Sequence, residues 1–134
     1  MNIVYFAIAA GFTYPLVKTF WKAGNFKRTA PIETIVAAGI GWVADAPKAI
    51  VRLIGILEVL GVVGLIAGQI LGWFPGFKWA AYTGAAAAAG LALTMIAAAL
   101  LHVSRKEIKY TWKKNLGLAA FGVIAAVALV LAVA

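Results

Sequence analysis

Apolar residues fall along the chain in four long runs and one short one, with polar and basic residues between them. Ile3 to Val17 is apolar apart from Tyr5, Thr13 and Tyr14. Lys18, Phe20, Trp21 and Lys22 extend it as a helix whose long side chains snorkel to an interface. The run predicts a first membrane span over about 2–22, kinked near one end by Pro15. Gly24 to Ala30 reads as a polar loop carrying Lys27 and Arg28. Ile32 to Ala44 is interrupted by Gly39 and Gly41 and falls short of the roughly 20 residues that a span needs. Pro31 and Glu33 stand where the first turn of a helix tolerates them, so a short interfacial or re-entrant helix is expected over about 31–44. Asp45-Ala46-Pro47 reads as an N-cap followed by a first-turn proline, launching a second span over about 48–71. Gly72-Trp73-Phe74-Pro75-Gly76 predicts a tight turn. A third span, over about 79–102, is built on the alanine run Ala85 to Ala89, and Arg105 to Lys114 forms a second basic loop. Leu116 to Ala134 carries no charge and makes the core of a fourth span over about 114–134. The expected fold is all-α integral membrane: a four-transmembrane-helix bundle, with the short helix between spans 1 and 2, in a single membrane domain over 1–134.

Composition agrees. The chain is 65% hydrophobic and only 12% charged, against about 25% charged in ordinary soluble domains. A net charge of +8 would suggest nucleic acid in a soluble protein. Here the basic residues gather in two clusters between apolar runs, a pattern of loops attracted to anionic lipid, so no nucleic-acid partner is expected. Six Lys and Arg fall between Lys18 and Arg52, five between Arg105 and Lys114, and Lys78 alone remains for the other face of the twelve. By the positive-inside rule both basic loops lie in the cytoplasm and both termini outside, in a multi-pass protein of the bacterial cytoplasmic membrane. Trp21, Trp42, Trp73, Trp79 and Trp112 fall at or near the expected boundaries. There is no cysteine, which removes thiolate chemistry and Fe–S ligation from this chain. The first run lacks a basic leading region, so no removed signal peptide is expected.

Candidate chemistry centres on Glu58. A helix running from Lys48 to beyond Gln69 holds this carboxylate roughly 16 Å deep, near the middle of a hydrocarbon core about 30 Å thick. Such a group is costly unless it meets protein, water or a partner, which makes it a functional-site candidate. At helical spacing Val51, Ile54, Glu58, Val62, Leu65 and Gln69 share one stripe of the second span. Gly61, Gly64 and Gly68 gather beside it, and Gly64 with Gly68 has the spacing that lets backbones approach. Gly84, Ala88, Leu91, Met95, Ala98 and His102 share a face of the third span. Arg52 projects about 120° away from Glu58, a poor intrahelical partner. Tyr14 and Asn115 complete a set of polar groups in the cytoplasmic half. Structural readings stand beside these: Arg52 snorkelling to lipid phosphate or pairing with an acid, His102 and Tyr14 as boundary residues, Asn115 as a helix cap. No nucleophile–base pair or metal-ligand cluster is visible, so neither a catalytic residue nor a metal site is expected.

Arg52-Leu53-Ile54-Gly55, then Glu58, Gly61 and Gly64-Leu65, an alanine-rich third span closed by His102, and Asn115-Leu116 opening the last span together resemble the DoxX-like family of small bacterial membrane proteins. The resemblance covers about Pro31 to the end, and Arg52, Gly55, Glu58, Gly61 and His102 match the family pattern. It implies a four-helix membrane bundle associated with quinone-linked or redox membrane complexes. DoxX relatives are named for a subunit of a thiosulfate:quinone oxidoreductase, and others accompany superoxide detoxification or quinone stress. The expectation is an accessory subunit of a quinone-linked or respiratory membrane oxidoreductase. Its site is Glu58, His102, Arg52, Tyr14 and Asn115, its packing glycines are Gly55, Gly61, Gly64 and Gly68, and its ligand is a quinone or bound lipid with no covalent cofactor. Its partners are the lipid bilayer and other membrane subunits. A purely structural or assembly subunit is the alternative, and a small transporter or lipid-binding bundle stands behind it.

Overall fold

The computed structural model describes residues 2–105 and 112–134. The basic loop expected at Arg105 to Lys114 lies mostly outside the described residues. Among the described residues there are five α-helices: α1 (Ile3–Thr29), α2 (Ile32–Ala37), α3 (Lys48–Gly72), α4 (Lys78–Ser104) and α5 (Trp112–Val133), with a 3-10 turn at Gly41–Asp45 between α2 and α3. The four longer helices are long and apolar enough to cross a membrane. Helix α1 packs against α3 and α5, and α4 packs against the same two, so the four spans close a ring. The termini and the Gly72–Lys78 turn share one end of the bundle, where the Asn2 N–H donates to the Ala132 carbonyl at 2.8 Å. The other end, with α2 and most of the basic residues, is called here the basic end.

In lipid, apolar surface alone gives helices little reason to pack on one another, so close contact depends on small side chains and internal hydrogen bonds. Both devices recur. A Cβ at Gly68 would stand 2.6 Å from both the Ala80 carbonyl oxygen and the Gly84 Cα, so α3 and α4 touch backbone to backbone there. Gly122 brings α5 against Ala88 and Ala92 of α4 in the same way. Leu16, Phe20, Val62, Leu65, Leu91 and Leu129 fill the space among these contacts. Gln69 of α3 donates a hydrogen bond to the Thr13 hydroxyl of α1, with both residues buried.

The first span departs from its expected length. Helix α1 runs without a break from Ile3 to Thr29, through Pro15 and through the segment Gly24–Ala30 read above as a loop. The physical reason lies in its buried stripe of Ala9, Thr13, Leu16, Phe20, Gly24 and Lys27, which keeps helical spacing to the end. Asn2 caps its start, its side chain accepting from the Val4 N–H at 3.0 Å. The expected helix over 31–44 is two short pieces, because Gly39 at φ 100° turns the chain between α2 and the 3-10 turn. Ile35, Ile40 and Val43 fold this segment onto Phe26 of α1 and Val51 of α3. Asp45 does not cap α3, whose first turn follows Pro47 without a side-chain cap. Asp45 instead pairs with Arg105 at 2.8 Å, joining the end of the 3-10 turn to the end of α4.

Candidate functional site

Glu58 is buried, and its partner is Lys27. The Lys27 Nζ donates to Glu58 Oε1 at 2.6 Å, with the two side chains 11% and 2% exposed. An unpaired carboxylate at this depth costs about 3 kcal/mol, and the ammonium from α1 offsets much of that. The second carboxylate oxygen, Oε2, is buried and has no hydrogen-bond partner among the described residues. Buried polar atoms almost always find a partner, so this one marks the site.

Two glycines set the pair. A Cβ at Gly24 would stand 2.9 Å from the Gly55 carbonyl oxygen, and one at Gly55 would stand 2.7 Å from the Arg28 amide nitrogen. Helices α1 and α3 therefore cross with backbones in contact, and the crossing brings Lys27 over Glu58. Arg52 holds the same crossing from the side, donating to the backbone carbonyls of Lys27, at 2.9 Å, and Ala30. Those carbonyls belong to the last turn of α1, where a helix leaves acceptors unused. Arg52 thus meets peptide oxygens rather than an acid.

A cavity of about 1220 Å³ opens beside the pair, lined by residues of all four spans and roofed by Ala38, Ile40 and Trp42. Glu58, His102, Tyr14 and Asn115 all line it, together with Lys27; Arg52 does not. His102 and Asn115 are buried, whereas Tyr14 is 70% exposed at the rim. Apolar wall comes from residues such as Ile54, Leu91, Met95 and Leu118. Besides Tyr14 and Ala38, the exposed lining residues fall in two groups, Lys18, Lys22 and Lys114 on α1 and α5, and Leu57, Gly90 and Ala97 on α3 and α4. The first rim is basic and the second apolar.

The expected packing glycines separate by distance. Gly55 meets α1, Gly61 would put a Cβ 2.9 Å from the Leu91 side chain, and Gly68 meets α4, but the nearest atom to a Cβ at Gly64 is the Ala87 methyl at 3.6 Å. Gly64 makes ordinary contact only. Lys27 and Gly24 are the site residues that sequence reasoning missed. Their signal was the stripe of α1, hidden because Gly24 and Asn25 resemble chain-breaking residues.

A model of the DoxX-like family matches residues 12–134. No curated protein and no solved structure matches the chain. The chain belongs to the DoxX-like family, and the match takes in most of α1 as well as the part that carried the resemblance.

Proposed function

We propose that this DoxX-like membrane protein holds the head group of a quinone-class lipid in the cavity beside Glu58 and serves as an accessory subunit of a membrane oxidoreductase. The observation that carries the reading is the buried, unpartnered Glu58 Oε2 on a residue lining a cavity of about 1220 Å³. Natural ligand pockets span about 300–1,000 Å³ and combine apolar walls with few convergent polar groups. Glu58, His102 and Asn115 are such groups, and the apolar rim on α3 and α4 gives a lipid-soluble molecule a way in. Electron chemistry would belong to the bound quinone or to partner chains, with this chain binding and orienting. The concentration of Lys and Arg at the basic end favours the bacterial cytoplasmic membrane, with that end in the cytoplasm and both termini outside.

A structural or assembly subunit is the second reading. It draws on the Lys27–Glu58 pair and the Arg52 bonds, which tie α1 to α3 whether or not anything binds. Extraction from the native membrane in a mild detergent, followed by mass spectrometry of co-purifying chains and lipids, separates the two. Stoichiometric quinone with oxidoreductase subunits is the expected result. Oxidoreductase subunits without quinone favour the structural role, and isolation with bulk lipid alone overturns both.

A further inference from the structure

The hydrogen-bonding sense of the unpartnered atom restricts what the cavity accepts. Lys27 occupies Glu58 Oε1 at 2.6 Å, so the pair leaves one oxygen, Oε2, buried and unpartnered. In the ion pair with the Lys27 ammonium Glu58 is a carboxylate, whose oxygens accept hydrogen bonds and donate none. The lining of the cavity that Glu58 faces includes the apolar residues Ile54, Gly61 and Leu91. A ligand bringing an O–H to this point supplies the missing donor. A ligand bringing only a carbonyl sets two acceptors against each other and leaves Oε2 without a donor, which is the costly outcome.

We infer that the cavity selects by donor character and takes a lipophilic molecule with a hydroxyl on its head group. For the quinone class, on which this inference rests through the function proposed above, that molecule is the hydroquinone and not the quinone. Glu58 then binds the reduced head group directly through Oε2. Lys27 is a positioning residue: by holding Oε1 it fixes which oxygen is left for the ligand. The Gly24–Gly55 contact fixes Lys27 in turn, since a side chain at either glycine would force the two helices apart.

Three probes with one tail test this in purified protein in detergent micelles without oxygen: a decyl-substituted benzohydroquinone, the matching benzoquinone, and the hydroquinone dimethyl ether, each titrated calorimetrically. The hydroquinone is expected to bind about tenfold or more tighter than the other two, the difference of one hydrogen bond to a charged acceptor. In Glu58→Gln the amide can keep its oxygen on Lys27 and turn its NH₂ to the ligand, so the preference is expected to vanish or reverse towards the quinone. Equal binding of hydroquinone and ether, or tighter binding of the quinone, in the unaltered protein overturns the inference and leaves a ligand cavity standing. Binding of none of the three overturns the quinone-class reading itself. Should Glu58→Gln fail to fold, the ratio in the unaltered protein decides alone.

Discussion

Helix α3 carries two buried polar side chains, Glu58 towards the basic end and Gln69 towards the terminal end, and the two halves of the bundle treat them differently. Around Gln69 the helices close completely: Gly68 touches Gly84, Gly72 touches Ala81, and the amide finds the Thr13 hydroxyl. Around Glu58, α1 and α3 meet backbone to backbone at Gly24 and Gly55, whereas α4 reaches α3 through the Leu91 side chain at Gly61, beside the cavity. One oxygen of Glu58 is satisfied from α1 and the other is not. A buried polar group with its partner in place acts in packing. A buried acid with an acceptor left over, beside open volume, is the arrangement on which the proposed ligand site rests. The two groups differ in depth by about 16 Å of helix rise, and they differ as sharply in the geometry of their neighbours.

The sharpest way to break the contrast is to deny the terminal half its close contact. Gly68→Leu puts a side chain where even a Cβ would stand 2.6 Å from α4 backbone. It is expected to cost more than about 4 kcal/mol or to prevent folding, since backbone on both sides has nowhere to move. Thermal unfolding in detergent measures it. Gly64→Ala, four residues away on the same helix, is the control, with a methyl in ordinary contact at 3.6 Å from Ala87. A helix-favouring residue there is expected to leave stability unchanged or raise it by up to about 1 kcal/mol. Equal damage from both changes would mean that the helices do not cross where Gly68 meets Gly84.

In the basic half the corresponding test is the ion pair. Lys27→Met strands a buried carboxylate and is expected to cost about 3–5 kcal/mol, whereas Lys27→Met with Glu58→Met is expected to recover most or all of it. Recovery of stability in the double variant, read by unfolding in detergent, together with lost ligand binding, would separate what the pair does for the fold from what Glu58 does for the ligand. A double variant as unstable as Lys27→Met alone would mean that the pair is needed for packing in its own right.

The four spans were legible because each apolar run is long and its ends are marked by charge, tryptophan or glycine. The stripe containing Glu58 was legible too, since Val51, Glu58, Val62, Leu65 and Gln69 are buried in the folded chain and Ile54, on the same stripe, is half-buried. Lys27 was not, because charge outweighed periodicity: a lysine beside an arginine reads as loop, and nothing local announces that it reaches an acid thirty-one residues away. Asp45 failed for a related reason. An acid before a proline and a helix looks like a cap, but its partner, Arg105, comes from another helix end. Gly64 and Gly68 are alike in sequence and differ only in what stands opposite, Ala87 or Gly84. Pairing between helices, not the helices themselves, was the part that local sequence does not encode.

The smallest expected effect belongs to Gln69, and it bears most directly on the contrast between the halves. Gln69→Leu keeps the bulk of the side chain and removes the donor to Thr13. Interhelical hydrogen bonds in membranes average about 0.6 kcal/mol, and the released threonine hydroxyl can turn to the carbonyl one helical turn back, as serine and threonine do in membrane helices. A loss of about 0.5–1 kcal/mol in unfolding is therefore expected, with no change in the affinity of the cavity or in its preference for a hydroxyl-bearing ligand. A loss above about 2 kcal/mol would make Gln69 part of a polar network as demanding as the ion pair. A change in ligand preference would mean that the closed half transmits its packing to the open one, because Gln69 is not among the residues that line the cavity.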